Sequence, residues 1–326
     1  MGCPLATLIT GAGLIGTAFA KVAVERGETP IFLDSQRRES FVRLQLGRDA
    51  SYELVEADVR DLPALVQIMR TRSVDVVVHT AGLIGKRVAE SLYSAFQVNV
   101  QGSTNVAEAV RQAEVRRLVH VSSFGVYDRR RTADAPVTES FARGNGGAYS
   151  NLNVAKEVIL EAYARRFGFE LVVLRPACVF GLGHFWSGSG GGKKIQDLVI
   201  GGLTGEQVRI RSEDAATNEY IYAKDLGRAI DRAAVVTLPR QSFINVGSGG
   251  LTTVGALIGA AKELMPGLEV VIESGDATQG KTAHLDISAA KRLLGWDPAY
   301  SLKAALADYV RDVQRLGLGH LDLLQS

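Results

Sequence analysis

A run of glycines near the start of the chain is the first place where residue type and spacing could do chemistry. Thr10-Gly11-Ala12-Gly13-Leu14-Ile15-Gly16 supplies Gly-x-Gly-x-x-Gly between an apolar stretch and an amphipathic one. In that setting the pattern is a dinucleotide fingerprint. Gly11 permits a tight turn, Gly13 lets backbone approach a pyrophosphate, and Gly16 lets the next helix pack closely on the sheet. Leu14 and Ile15 open that helix, whose N–H groups and positive dipole end would receive the phosphates. Asp34 closes the next apolar run, near the offset of roughly 20 residues expected of an acid that bonds ribose hydroxyls. A carboxylate there accepts from a 2′-OH and repels a 2′-phosphate, so the expected cofactor is NAD rather than NADP. Arg37 and Arg38 would serve a phosphate if Asp34 turned away, but are read as solvent-exposed.

Other reactive residue types carry less. His79 and His120 fall at strand ends with no further ligand at metal spacing, and are read as structural. The cysteines, Cys3 and Cys178, suggest neither a disulfide framework nor a metal site, which fits a reducing, cytoplasmic setting. Cys178 is read first as a small buried hydrophobe, and second as a pocket-lining residue. Gly188–Lys194 is not a P-loop, because Lys193 is followed by Lys194 and no strand precedes it. The Gly/Ser-rich stretch Trp186–Gly192 reads as a flexible loop, and Gly188–Lys194 is expected to form a mobile lid over substrate. Met1-Gly2-Cys3 lacks the Ser or Thr that acylation wants at position 6, where Ala6 stands. No apolar run approaches the roughly 20 residues of a membrane helix, and Leu5–Thr10 reads as a buried strand rather than a signal peptide. Net charge is +2 and basic residues are dispersed apart from Arg129–Arg131, so no nucleic-acid partner is expected.

The elements that must position these residues follow from periodicity. Strands are expected at Leu5–Thr10, Pro30–Asp34, Tyr52–Glu56, Val74–His79, Leu118–Ser122 and Glu170–Arg175. Helices are expected at Leu14–Arg26, Leu62–Arg70, Val98–Ala113 and from Tyr149 to about Phe167. Alternation of helices with nearly continuous apolar strands argues an α/β fold: a Rossmann-type, doubly wound parallel sheet covered on both faces. Pro176 is expected to end the regular pattern. Beyond it come shorter helices near Ile195–Gly201, Lys224–Val236, Thr253–Met265, Ser288–Leu294 and Leu302–Leu316, with strands near Val208–Ile210 and Phe243–Val246. With 326 residues, 46% of them hydrophobic, the chain suits one large domain or two intimate ones. The division read is a cofactor-binding part over 1–176 and a mainly substrate-binding lobe over 177–326, interleaved with the first.

On this frame the chain resembles the NAD-dependent epimerase/dehydratase branch of the extended short-chain dehydrogenases/reductases over nearly its whole length. Ala57-Asp58-Val59-Arg60-Asp61 is similar to the segment whose Asp and Val contact adenine. His79-Thr80-Ala81-Gly82 resembles the loop beside the cofactor, and Asn99-Val100 the Asn on the following helix. Val121-Ser122-Ser123-Phe124-Gly125-Val126-Tyr127 resembles the Ser-Ser-x-x-Val-Tyr signature, which implies Ser123 as the catalytic serine. Leu174–Gly181, Glu219–Leu226, Asn245–Gly249 and Leu294–Pro298 match later segments in order. The resemblance implies cofactor contacts at Asp58, Val59, Ala81, Gly82 and Asn99. It implies substrate contacts at Ser123, Phe124, Tyr149 and Cys178, and a homodimer built on helices that include the Tyr149 helix. Val154, Val158 and Leu160 could serve that face or the molecule's own core.

Two departures bear on activity. The glycine spacing is one residue tighter than usual in the family, so the loop should differ slightly while binding survives. More seriously, Tyr149-Ser150-Asn151-Leu152-Asn153 places Asn153 where the family has the lysine of Tyr-x-x-x-Lys, a register supported by Glu157. In such sites the tyrosine moves a proton at the substrate oxygen, the serine polarises that oxygen, and the lysine lowers the tyrosine pKa and bonds the nicotinamide ribose. Asn153 can donate to the ribose but has no charge, and Lys156, nearly two turns on, is read as pointing to solvent. Three accounts of Asn153 stand: altered chemistry, an introduced substitution, or binding kept without turnover. Asn218 stands near the point where nucleotide-sugar members carry an arginine, which weighs against a nucleotide-sugar substrate. The expectation is an NAD-dependent oxidoreductase acting on a hydroxyl or carbonyl of a small polar substrate, sugar-like or a hydroxy acid. The alternatives are an NAD-retaining epimerase or lyase-like enzyme, and a catalytically impaired NAD-binding protein.

Overall fold

A computed structural model of the chain describes residues 6–128, 135–183, 190–274 and 283–317. Cys3, the Arg129–Arg131 run and residues 186–189 of the glycine-rich loop lie outside the described residues.

The first six strands are β1 (Thr7–Thr10), β2 (Ile31–Asp34), β3 (Glu53–Glu56), β4 (Val76–His79), β5 (Arg117–Val121) and β6 (Glu170–Pro176). Between them run α1 (Leu14–Glu25), α2 (Glu39–Leu46), α3 (Leu62–Thr71), α4 (Lys86–Glu90), α5 (Leu92–Ala95), α6 (Gly102–Gln112) and α7 (Ala148–Phe167). The second half adds β7 (Cys178–Phe180), β8 (Val208–Ile210), β9 (Tyr220–Tyr222), β10 (Gln241–Val246) and β11 (Val270–Ile272). Its helices are α8 (Gly190–Thr204), α9 (Ala223–Val235), α10 (Val254–Leu264) and α11 (Leu302–Leu316).

The main sheet has seven strands in the order β10-β6-β5-β4-β1-β2-β3, every pair parallel. Strands β1, β4 and β5 are buried along their whole length, because helices cover both faces. One face packs on Phe19, Ala23, Leu226 and Ile230 of α1 and α9; the other on Leu65, Val106, Val110 and Leu160 of α3, α6 and α7. The order reverses between β1 and β4, so a crevice opens over their carboxyl ends, where ligands of open α/β sheets bind. A separate apolar cluster, with Ile195, Leu198, Leu257, Leu306 and Tyr309, joins α8, α10 and α11. The second half also returns to the main sheet, since β10 pairs with β6 and α9 packs on α1.

Several expectations change. Pro176 does not end the pattern: it is the last residue of β6, opposite Val246, and β7 follows at once to pair with β9. There β6 has already outrun β5, whose last pair is Val121 with Leu174. The helix read from Val98 begins with a π-helical segment, Phe96–Gln101, continuous with α6. Gly190–Gly192, read as flexible loop, begin α8. Gly191 packs against Cys178, where an added Cβ would lie 3.0 Å from Sγ, so close approach rather than mobility explains that glycine. Among the described residues no helix is long and apolar enough to cross a membrane.

Candidate active site

The glycine turn sits at the crevice for a steric reason. Gly11 has φ +96°, and a Cβ on it would meet Thr80 Oγ1 at 2.8 Å. A Cβ on Gly16 would meet Gly11 O at 2.1 Å, so α1 reaches the turn only because both residues are glycine. Gly13 is the N-cap of α1 and no side chain caps the helix, which leaves its first N–H groups for a ligand. Asp34, at the tip of β2, accepts from Ala12 N at 2.8 Å and from Gln36 N at 3.0 Å, tying the acid to the turn.

Gly11, Gly13, Leu14, Ile15 and Asp34 line one end of a cleft of about 800 Å³, within the size range of cofactor sites. Asp58, Val59, Ala81 and Gly82 continue the wall. Arg60 grips Asp58 through Nε at 3.0 Å and Nη2 at 2.6 Å, holding that carboxyl below its usual range. Arg38 is not solvent-exposed as expected; it is half-buried in the same wall, while the Arg37 side chain is 66% exposed. Gly16 and Asn99 stand behind the wall. Asn99 is buried, accepts from Leu83 N at 2.7 Å and donates to Leu83 O at 2.9 Å, so it braces the loop after β4 from the π-helical segment. Asn105, which sequence reasoning passed over, braces the Asp58 turn by donating to Val59 O and Arg60 O.

At the other end stand Ser123, Phe124, Tyr149, Asn153 and Cys178. Ser123 is buried, and its Oγ accepts from Gly125 N at 3.0 Å. Burial pushes the Tyr149 phenol above its ordinary value, and hydrogen bonds from Ser123 and Asn153 pull it back only in part. Asn153 also donates to Tyr149 O at 2.9 Å, so its amide stays close to the tyrosine.

The register of α7 is fixed by Glu157. Burial raises that carboxyl, but Arg175 (2.8 and 3.0 Å), Ser122 (2.7 Å) and Arg143 (3.0 Å) win and hold it below its usual range. Asn153 is therefore the residue one turn below Tyr149 on the cleft side. Lys156 corrects the solvent expectation: it is 5% exposed and lines the cleft. A signal for this existed, since Tyr149, Asn153, Lys156 and Leu160 fall at i, i+4, i+7 and i+11, a single helical stripe. Below lies His79, whose ring contacts Thr10 Oγ1 at 2.6 Å and Ser103 Oγ at 2.9 Å. Ser103 gives its hydrogen to Asn99 O at 2.5 Å, so it accepts from Nε2–H and Thr10 donates to Nδ1. Burial lowers His79 to about 3, and keeps the stacked His120 well below its ordinary value.

Residues 7–247 match the model of a family described as the NAD dependent epimerase/dehydratase family. A UDP-glucose 4-epimerase of Mycolicibacterium smegmatis is 28% identical, over 93% of this chain and 97% of that protein. A dTDP-4-dehydro-6-deoxy-D-allose reductase of a Streptomyces species is 24% identical, over 93% of this chain and 94% of its own. The crystal structure of a Thermotoga maritima UDP-glucose 4-epimerase with UDP-glucose has the same fold, with TM-score 0.84 at 24% identity, covering 95% of this chain and 99% of that one.

Proposed function

The chain belongs to the NAD-dependent epimerase/dehydratase family, and from that premise we propose that it is an NAD-dependent enzyme oxidising or reducing a carbinol carbon of a sugar-like substrate or hydroxy acid. One observation carries this reading. Ser123 and Tyr149 converge at one end of a cleft whose other end offers a bare helix N-terminus and the Asp34 carboxylate. The residues fit the dinucleotide: the α1 amides would hold its phosphates, Asp34 the adenosine ribose, and Asp58 and Val59 the adenine. Bound there, NAD supplies the hydride acceptor or donor. Ser123 would donate to the substrate oxygen, and Tyr149 would take the proton from that oxygen or return it. Phe124 and Cys178 would bound the substrate space. Residues 177–326 form the substrate lobe in this reading, apart from α9 and β10, which complete the Rossmann layer. The cytoplasm is the compartment we propose, and a homodimer the assembly.

A second reading, transient oxidation with NAD retained and an epimer released, is favoured by the relatives that are epimerases. Incubation with NAD and a panel of UDP-hexoses, free sugars and hydroxy acids separates them. Accumulating NADH is the expected result; an isomeric product without net NADH would establish the second. Tyr149→Phe should lower turnover by about 10²-fold or more, with NAD affinity unchanged. A protein that binds no adenine dinucleotide would overturn both readings.

A further inference from the structure

Lys156 brings a positive charge to a place where, among the described residues, only its chain neighbour Glu157 carries a charge that favours it. Among the described residues it makes no hydrogen bond and no ion pair, although it is 5% exposed. Its neighbour Glu157 is committed to Arg175, Arg143 and Ser122. Both ring nitrogens of His79 are occupied by Thr10 and Ser103. The charge nevertheless reaches His79 on β4 and His120 on β5, so it lies against the carboxyl ends of those strands, and the side it has open is the cleft. A buried ammonium lacking protein acceptors is a donor set waiting for a ligand.

The sheet order says which part of a ligand that is. The glycine turn follows β1; Asp34 ends β2 on one side of it, and β4 and β5 lie on the other. A dinucleotide with its phosphates on the turn and one ribose at Asp34 must carry its second ribose toward β4 and α7. Asn153, turned to Tyr149, leaves the floor beneath that ribose to the longer side chain one turn further on. We propose that Lys156 is a cofactor-holding residue, its ammonium donating to hydroxyls of the ribose on the substrate side of the pyrophosphate. The inference rests on the NAD reading above. It also divides the work of the missing lysine: the groups that act on Tyr149 are Ser123, Asn153 and Cys178, not Lys156, so this cation holds the cofactor without activating the tyrosine.

Lys156→Met should weaken NAD and ADP-ribose binding about tenfold or more at pH 7, as loss of a charge-assisted hydrogen bond implies. Affinity for AMP, which lacks the second ribose, should not change. The wild type supplies a measurement that needs no variant. Burial brings Lys156 down to about 8, with Glu157 opposing. Among the described residues the titratable groups coupled to it are His79 from β4, His120 from β5 and Glu157 from α7, with Tyr149 further along the same cleft; the imidazoles stay neutral, the carboxylate charged and the phenol protonated through this range. NAD affinity should therefore fall as pH rises through about 8, while AMP affinity stays level. Equal loss of NAD and AMP in Lys156→Met, unchanged NAD affinity, or a flat wild-type profile would each overturn the proposal. If the wild type bound neither NAD nor AMP, the NAD reading would fail and take this inference with it.

Discussion

Burial holds the Tyr149 phenol protonated above its ordinary value of 10.0, so a base at this position needs a positive charge close by to work near neutrality. Asn153 gives a hydrogen bond in place of that charge. Turnover that depends on the phenolate should therefore keep rising with pH throughout the neutral range. Asn153→Lys should move that limb of the pH–rate profile down by at least about one unit, the size of a direct charge effect; an unmoved limb would show that the proton does not pass through Tyr149. The new ammonium would also crowd Lys156 and depress it further. Sequence brought Gly11, Gly13 and Asp34 to this cleft through their local spacing, and Ser123 and Tyr149 through the family resemblance. Lys156 was missed because a lysine on a helix defaults to solvent. The stripe that buries it carries Asn153, Lys156 and Glu157, so it does not look apolar. Its burial also has a stability signature. Lowering from 10.5 to about 8 corresponds to roughly 3 kcal/mol against the folded state. That penalty is present below pH 8 and is relieved as pH rises toward 10.5. Lys156→Met should accordingly raise the unfolding midpoint at pH 7, the reverse of what a packing role would give.

At the scale of elements, α7 carries the site and Glu157 holds α7. Arg175 is 2% exposed on β6, so Glu157→Gln would leave a buried guanidinium without its counter-charge, a loss on the order of 3–5 kcal/mol. The acid side gives a second check. A carboxyl held below its unfolded value contributes stability above the ordinary carboxylate range, and loses it as pH falls through its folded value. The stability gap between wild type and Glu157→Gln, followed by denaturant unfolding, should therefore narrow in acid; a gap independent of pH would count against the ion pair. The sheet was legible because buried parallel strands are unbroken apolar runs, as in Val76–Val78. The elements missed lack that contrast. α2 is an eight-residue helix with only Phe41 and Val42 buried, and β7 and β9 are three-residue strands that define each other across the chain. The π-helical start of the α6 helix leaves no mark in a periodicity of 3.6.

The whole molecule presents a surface that its own fold does not cover. Leu92, Tyr93, Phe96 and Val158 are 54%, 72%, 49% and 48% exposed, on α5, the π-helical segment and α7, which pack against one another. Leu160 and Val154 do not belong to it, since Leu160 is fully buried and Val154 is packed on the core. Large apolar side chains gathered on neighbouring helices are what a self-association face requires. The homodimer proposed above would be seated there, so light scattering should return about twice the chain mass of 34.9 kDa. Tyr93→Glu combined with Val158→Glu should return a single chain. Both positions are exposed in the monomer, where such changes typically cost within about 0.5 kcal/mol each, so the variant should stay folded. The consequence should reach the site, because α7 shows Val158 outward while Tyr149, Asn153 and Lys156 face the cleft. A second copy over that outer face would stiffen the helix that positions them, and the single-chain variant should bind NAD more weakly than the dimer. A wild type that scatters as one chain at micromolar concentration, or a charged variant that still scatters as two, would remove this face from the assembly.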